Sequence, residues 1–123
     1  MTTCLRRGAL AATLLLPLAA AADCGDGLTP VGLAVANGGD GAVVAAARQA
    51  ASGQDWSTVE LPAGAQGSLA LCLEMILSVG SAEYTVADGA GATTCSGSAL
   101  LPQGAAATLE IAADGTCSLK VDQ

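Results

Sequence analysis

Ser68-Leu69-Ala70-Leu71-Cys72-Leu73-Glu74-Met75-Ile76-Leu77 is the run in which apolar alternation, a cysteine and a preceding turn signal coincide. Successive side chains of an extended chain point to opposite faces, so Leu69, Leu71, Leu73 and Leu77 share one face and Ser68, Ala70, Cys72 and Glu74 the other. The pattern predicts a half-buried strand. Alternation fails at Met75-Ile76-Leu77, where a bulge or two-sided burial is expected.

Working outward, Val31, Leu33 and Val35 alternate with Gly32, Ala34 and Ala36, which predicts another strand ending at the turn residues Asn37-Gly38-Gly39-Asp40-Gly41. Ala42 to Ala51 is alanine-rich and open to either a helix or a strand; the Val43-Val44 pair and the Asn-Gly loop before it favour the strand. Trp56 to Leu61 is expected to place Ser57, Val59 and Leu61 on one face and Trp56, Thr58 and Glu60 on the other, ending at Pro62 and Gly64. Short strands are expected at Glu83 to Ala87 and Thr93 to Ser96. In the last pair, a two-residue Asp114-Gly115 turn would set Ile111 opposite Ser118, apolar against polar. A three-residue Ala113-Asp114-Gly115 loop with left-handed Gly115 sets Ile111 opposite Cys117 and Leu109 opposite Leu119, and is preferred. The chain also echoes itself, Leu61-Pro62-x-Gly64-Ala65-x-x-Ser68-Leu69-x-Leu71 returning as Leu101-Pro102-x-Gly104-Ala105-x-x-Thr108-Leu109-x-Ile111. This reads as one corner used twice, since a solenoid needs at least three stacked units.

Val35-x-Asn37-x-Gly39 followed by a second apolar run, and then Val59-x-Leu61-Pro62-x-Gly64 leading into an alternating strand, resembles the strand and corner pattern of bacterial immunoglobulin-like sandwich modules over roughly Pro30 to Leu73. The resemblance implies an all-β, immunoglobulin-like β-sandwich of about seven short antiparallel strands, and it implies architecture only.

The N-terminus bounds the compartment. Arg6-Arg7, the apolar Ala9 to Leu16 and the small residues Ala19 to Ala22 have the layout of a secretory signal peptide, with residues 1–22 removed and a single disulfide-stabilised domain at 23–123. The apolar stretch falls short of the ~20 residues a spanning helix requires, so stable membrane insertion is not expected. Asp23 before Cys24 argues against lipidation, and Gly8-Ala9 against a twin-arginine signal. Cys4 leaves with the leader, and Cys24, Cys72, Cys95 and Cys117 remain as an even set suited to two disulfides in a secreted or periplasmic protein. Three connectivities are open. Cys117 belongs with Leu119 and Val121 on a buried face and Cys72 with Glu74 on the opposite one, which makes Cys72–Cys117 less attractive; of the two pairings left, Cys24–Cys72 with Cys95–Cys117 is the preferred expectation. Without Phe, and with Trp56 and Tyr84 as the sole aromatic residues, the core must be small and aliphatic. Each disulfide, at ~2 to 4 kcal/mol, then supplies a large share of stability.

Loss of Arg6 and Arg7 takes the formal net charge from −7 to −9, which disfavours nucleic acid and anionic membrane surfaces as partners. There is no histidine, which closes Ser-His, Cys-His and histidine-zinc chemistry. Lys120 is expected to pair with Glu110 on an outer face, and a carboxylate pair for glycoside hydrolysis would lack sugar-stacking aromatics. Asn37-Gly-Gly-Asp40-Gly and Asp88-Gly-Ala-Gly read as turn chemistry, because neither supplies the spaced oxygens of a calcium loop. No cofactor, metal or catalytic residue is expected. Trp56, on a polar face, is the candidate contact to a protein partner. The favoured class is an exported, non-catalytic binding or accessory module. A structural subunit of a surface or pilus-like assembly and an inhibitor of a basic hydrolase are the alternatives.

Overall fold

The computed structural model describes residues 24–122, so the signal-peptide reading of residues 1–22 lies outside the described residues. Eight strands form two four-stranded sheets, with no helix among the described residues. In chain order they are β1 (Thr29–Asn37), β2 (Val43–Gln49), β3 (Ser57–Leu61), β4 (Gln66–Leu73), β5 (Val79–Asp88), β6 (Thr93–Pro102), β7 (Ala106–Ile111) and β8 (Cys117–Asp122). One sheet has the order β4-β1-β7-β8 and the other β3-β2-β5-β6.

The expected count of about seven antiparallel strands is corrected to eight, and the β1–β7 pair is parallel, with Val35 beside Leu109. The two-layer plan is shared with immunoglobulin sandwiches, but the partition differs from theirs, in which the first, second, fourth and fifth strands lie together. The alternating leucine run forms an edge strand, β4, whose ladder partner is β1.

Alternation decides the core. Leu33 and Val35 of β1, Leu69, Leu71 and Leu73 of β4, and Leu109 and Ile111 of β7 are all buried. Facing them are Ala45 and Ala47 of β2 and Ala82 and Val86 of β5, also buried. Leucines of one sheet therefore project between alanines of the other, and a single layer of branched side chains fills the ~10 Å between packed sheets without phenylalanine.

The echoed sequence forms two alike corners. Each carries the chain from the β3-β2-β5-β6 sheet to the other one, β3 to β4 and β6 to β7. Ala65 N–H donates to Pro62 O at 3.0 Å and Ala105 N–H to Pro102 O at 3.1 Å, with Gly64 at φ 73° and Gly104 at φ 83°. The first corner is also tied by Asn37, the buried polar residue among the described ones. Its Nδ2 reaches Gly41 O at 2.9 Å, Pro62 O at 3.1 Å and Leu61 O at 3.2 Å, while its Oδ1 accepts from Gly39 N–H at 3.0 Å. The turn reading of Asn37 to Gly41 thus has a defined purpose: the amide spends its bonding capacity inside the protein.

Ala42 to Ala51 resolves as strand, with β2 spanning Val43–Gln49. The β7–β8 hairpin has the three-residue loop, Ile111 opposite Cys117, Leu109 opposite Leu119, and Gly115 at φ 89°. Disulfides join Cys24 to Cys72 and Cys95 to Cys117, with Cα separations of 5.3 and 6.1 Å. The first fastens the segment before β1 to edge strand β4, and the second staples edge strand β6 to edge strand β8.

Two expectations fail for identifiable reasons. Leu77 does not join the face of Leu69 to Leu73: β4 ends at Leu73, and Ile76 and Val79 exchange backbone bonds around a turn with Leu77 at φ 54° and Ser78 at φ 67°. Two positive-φ residues are the signature of a type I′ turn, for which Asn and Gly are the usual occupants, so the break in alternation at Met75-Ile76-Leu77 reads as a bulge or two-sided burial where the chain in fact turns. The strands expected at Glu83 to Ala87 and Thr93 to Ser96 are the middle and start of two ten-residue strands, β5 and β6. Gly97 looks like a stop signal in sequence, yet it serves as a space: a Cβ there would lie 2.6 Å from Tyr84 Oη on the paired residue.

Candidate partner-binding face

The outer side of the β3-β2-β5-β6 sheet is built by the same alternation that builds the core. Ser57, Val59 and Leu61 pair with Ala47, Ala45 and Val43 on the inner side, which sends Thr58 and Glu60 outward beside Ala46 and Val44. Trp56 precedes β3 and is 39 % exposed. Its indole is covered on one side by Arg48 of β2, whose guanidinium carbon lies 4.2 Å from the ring centroid. Arg48 Nε donates to Glu83 Oε2 at 2.8 Å from the neighbouring β5, and Nη1 donates to Gln54 O at 2.9 Å. The cation is thereby fixed in place. A cation held over an indole face is attracted by the ring's quadrupole by about 0.5 to 1 kcal/mol at an exposed site.

Trp56 therefore neither stands free nor packs into a core. It is presented as a half-covered plate. Sequence reasoning found Trp56 but missed Arg48 and Glu83, because their meeting depends on the β2–β5 register, in which they are directly paired. The isolated arginine of an otherwise acidic domain was the signal that could have drawn attention to them.

A second apolar feature lies next along the same end of the sheet. Gln49, Ala50, Glu74, Ile76, Val79, Ser81 and Leu100 line an open hollow of about 370 Å³. Ile76 is 69 % exposed, Leu100 67 % and the adjoining turn residue Leu77 93 %. Gln49 Oε1 accepts from Glu74 N–H at 2.5 Å, fastening the segment that carries Ile76 to the end of β2. Arg48, which covers Trp56, and Gln49 and Ala50, which line the hollow, follow one another at the end of β2.

The other residues singled out by their chemistry lie elsewhere. Lys120 Nζ meets Glu110 Oε1 at 3.3 Å on the outer side of the other sheet. A larger hollow of about 520 Å³ at the opposite end of the β3-β2-β5-β6 sheet includes Glu60 and Asp88, but Asp88 Oδ1 accepts from Ala90 N–H at 2.9 Å and Ala92 N–H at 3.0 Å and is committed to its own turn. At Asp114 the Thr116 hydroxyl, at 2.7 Å, and then the Thr116 N–H hold the carboxyl below the usual aspartate range. Both groups serve turns. Cys24, Cys72, Cys95 and Cys117 are all disulfide-bonded and carry no thiol chemistry. Among the described residues, no group of three or more His, Cys, Asp or Glu is placed to hold a metal ion, and no helix is long and apolar enough to cross a membrane.

Comparison with protein-family models finds none that matches the chain, and comparison with curated proteins finds no significant match.

Proposed function

We propose that this chain is an exported, non-catalytic binding or accessory module that holds a protein partner against the Trp56 to Leu100 end of its β3-β2-β5-β6 sheet. One observation carries the reading: Trp56, Ile76, Leu77 and Leu100, the exposed large apolar residues among the described ones, gather at that end. An aromatic plate fixed before binding loses little side-chain freedom on contact, and aromatic anchors beside small apolar hollows are where binding energy concentrates. The two disulfides and the leader-like N-terminal sequence support a secreted or periplasmic setting.

The test compares immobilised native protein with the Trp56→Ala and Leu77→Asp variants, each exposed to the exported fraction of the cells that make it. A protein retained by the native chain is expected to fall at least about tenfold with either variant, the loss of roughly 1.4 kcal/mol or more that defines a binding anchor. Equal retention by all three, with unchanged circular dichroism, would rule the face out.

A further inference from the structure

We propose that Asn37-Gly38 is a deamidation site that the fold keeps closed, so that a chain left unfolded loses its side-chain amide and cannot return to this structure. The inference goes beyond the partner-binding face, because it concerns a covalent change at the first corner and not recognition.

Asn37 is the chain's one asparagine, and glycine follows it. The side-chain carbonyl carbon of an asparagine can be attacked by the main-chain nitrogen of the next residue, and glycine, lacking a Cβ, hinders that approach least. Gly38 N then forms a bond to Asn37 Cγ, the Cγ–Nδ2 bond breaks, and Nδ2 leaves as ammonia with the proton given up by Gly38 N. Water opens the resulting cyclic imide at either carbonyl, leaving an aspartyl or an isoaspartyl residue at position 37. Water is consumed and ammonia released, so the reaction requires no other reagent.

The structure demands both members of this labile pair. Asn37 is 2 % exposed, and its Nδ2 supplies the carbonyls of Gly41, Leu61 and Pro62. At Gly38 a Cβ would lie 2.8 Å from Ile111 O, so glycine alone fits beside the end of β7. Packing thus imposes a reactive sequence on the chain.

The same contacts hold the reaction off. Gly38 N–H donates to Ile111 O at 2.8 Å, so the nitrogen that must give up its proton is engaged away from Asn37. The leaving group Nδ2 is tied to three carbonyls, and Oδ1 accepts from Gly39 N–H at 3.0 Å. Asn37 N–H donates to Ala65 O at 2.9 Å, which fixes the main chain on the other side of the residue. Bringing Cγ onto Gly38 N therefore requires the corner to open, and the native rate is scaled down by the fraction of time it does so.

Once the amide is gone, the corner cannot re-form as it was. An aspartyl carboxylate would set an oxygen where Nδ2 stood, against the oxygens of Gly41, Leu61 and Pro62, and would bury a charge with no cation beside it. An isoaspartyl residue adds a main-chain carbon between positions 37 and 38, which displaces Gly38 N–H from Ile111 O and the end of β1 from β7. Slow chemistry at one peptide bond in this way converts reversible unfolding into permanent loss.

Mass spectrometry of the oxidised protein, incubated at mildly alkaline pH with and without denaturant, tests this. In denaturant the peptide containing position 37 is expected to gain the mass difference between a hydroxyl and an amino group, in aspartyl and isoaspartyl forms, the pair that marks passage through the imide. Without denaturant the change should be slower by at least about a hundredfold. When the denaturant is removed, the modified fraction is expected to stay unfolded by circular dichroism where the unmodified fraction refolds, and Asn37→Asp should show the same loss. No modification in denaturant, equal rates with and without it, or a modified chain that regains native stability would each overturn the proposal. Should Asn37→Asp yield no soluble protein, the modified fraction recovered from denaturant decides alone.

Discussion

The corner at Pro62 to Gly64 and the corner at Pro102 to Gly104 have nearly the same sequence and the same local hydrogen bond, yet the molecule secures them differently. The first is gripped from inside by the buried Asn37 side chain, and Asn37 N–H also donates to Ala65 O at 2.9 Å. The second is held by main chain alone, through Gln103 N–H to Ser78 O. Turn chemistry therefore fixes the direction of the chain at both places. What surrounds each corner fixes how strongly it is held, and a polar side chain at the far end of β1 cannot be inferred from the corner's own residues.

The contrast can be broken most severely at Asn37. Asn37→Ala would remove the side-chain donor to the carbonyls of Gly41 and Leu61 and leave Pro62 O with the Ala65 N–H, and a loss of about 2 to 3 kcal/mol is expected in chemical denaturation, at the upper end of the cost of stranding buried polar groups. No side-chain deletion at the second corner has an equivalent effect. A loss below about 0.5 kcal/mol would mean that water replaces the amide and that the corners are secured alike.

The glycines sharpen the comparison. A Cβ added at Gly64 or Gly104 meets nothing within 4 Å, so the cost of Gly64→Ala and of Gly104→Ala is conformational at both positions. Each should lose about 1 kcal/mol, the penalty for a left-handed alanine, and the two values should agree within about 0.5 kcal/mol. A clear excess at Gly64 would show that the Asn37 knot resists the small backbone shift that relieves strain at Gly104.

The smallest effect belongs to a third turn, the β7–β8 loop, which shares the left-handed glycine but has an acid in place of proline. The Asp114 carboxyl is held below its ordinary range by Thr116, so its folded-state value lies under its unfolded one. Its contribution is complete above the ordinary aspartate range and fades as pH falls through the lower, folded value. Comparison of acid denaturation in native protein and Thr116→Val should show a slight loss of stability in the variant near neutral pH and convergence of the two curves in strong acid. Parallel curves throughout would remove the Asp114 role.

Much of the fold was legible because alternation is a local property. The inward face of β4 and the Ile111–Cys117 register follow from asking which side of a strand each residue occupies, and the outward placement of Trp56 came the same way, whereas for the cysteines the same question disfavours Cys72–Cys117 and leaves two pairings, of which the structure has Cys24–Cys72 with Cys95–Cys117. The failures share a different cause. The strand expected to stop at Ser96 runs on through Gly97 because Tyr84 needs the space there, and Leu77 was set on the face of Leu69 to Leu73 because a turn with two positive-φ residues usually announces itself with Asn or Gly. Half of the candidate face was likewise invisible: Trp56 could be named, but its partner Arg48 and the Ile76–Leu100 hollow arise where β2, β5 and β6 are brought side by side.

By itself, then, the amino-acid order determined that residues 24–122 are built of strands, which side of most of them is apolar, and where most of the turns fall. The tertiary structure alone decided that β1 lies parallel to β7, that leucines of one sheet face alanines of the other, and that Asn37 is enclosed beneath one corner. The physical reason is range. A residue's face depends on neighbours one and two positions away, whereas a strand's partners come from anywhere in the chain and are chosen by how all the faces fill the space between two sheets.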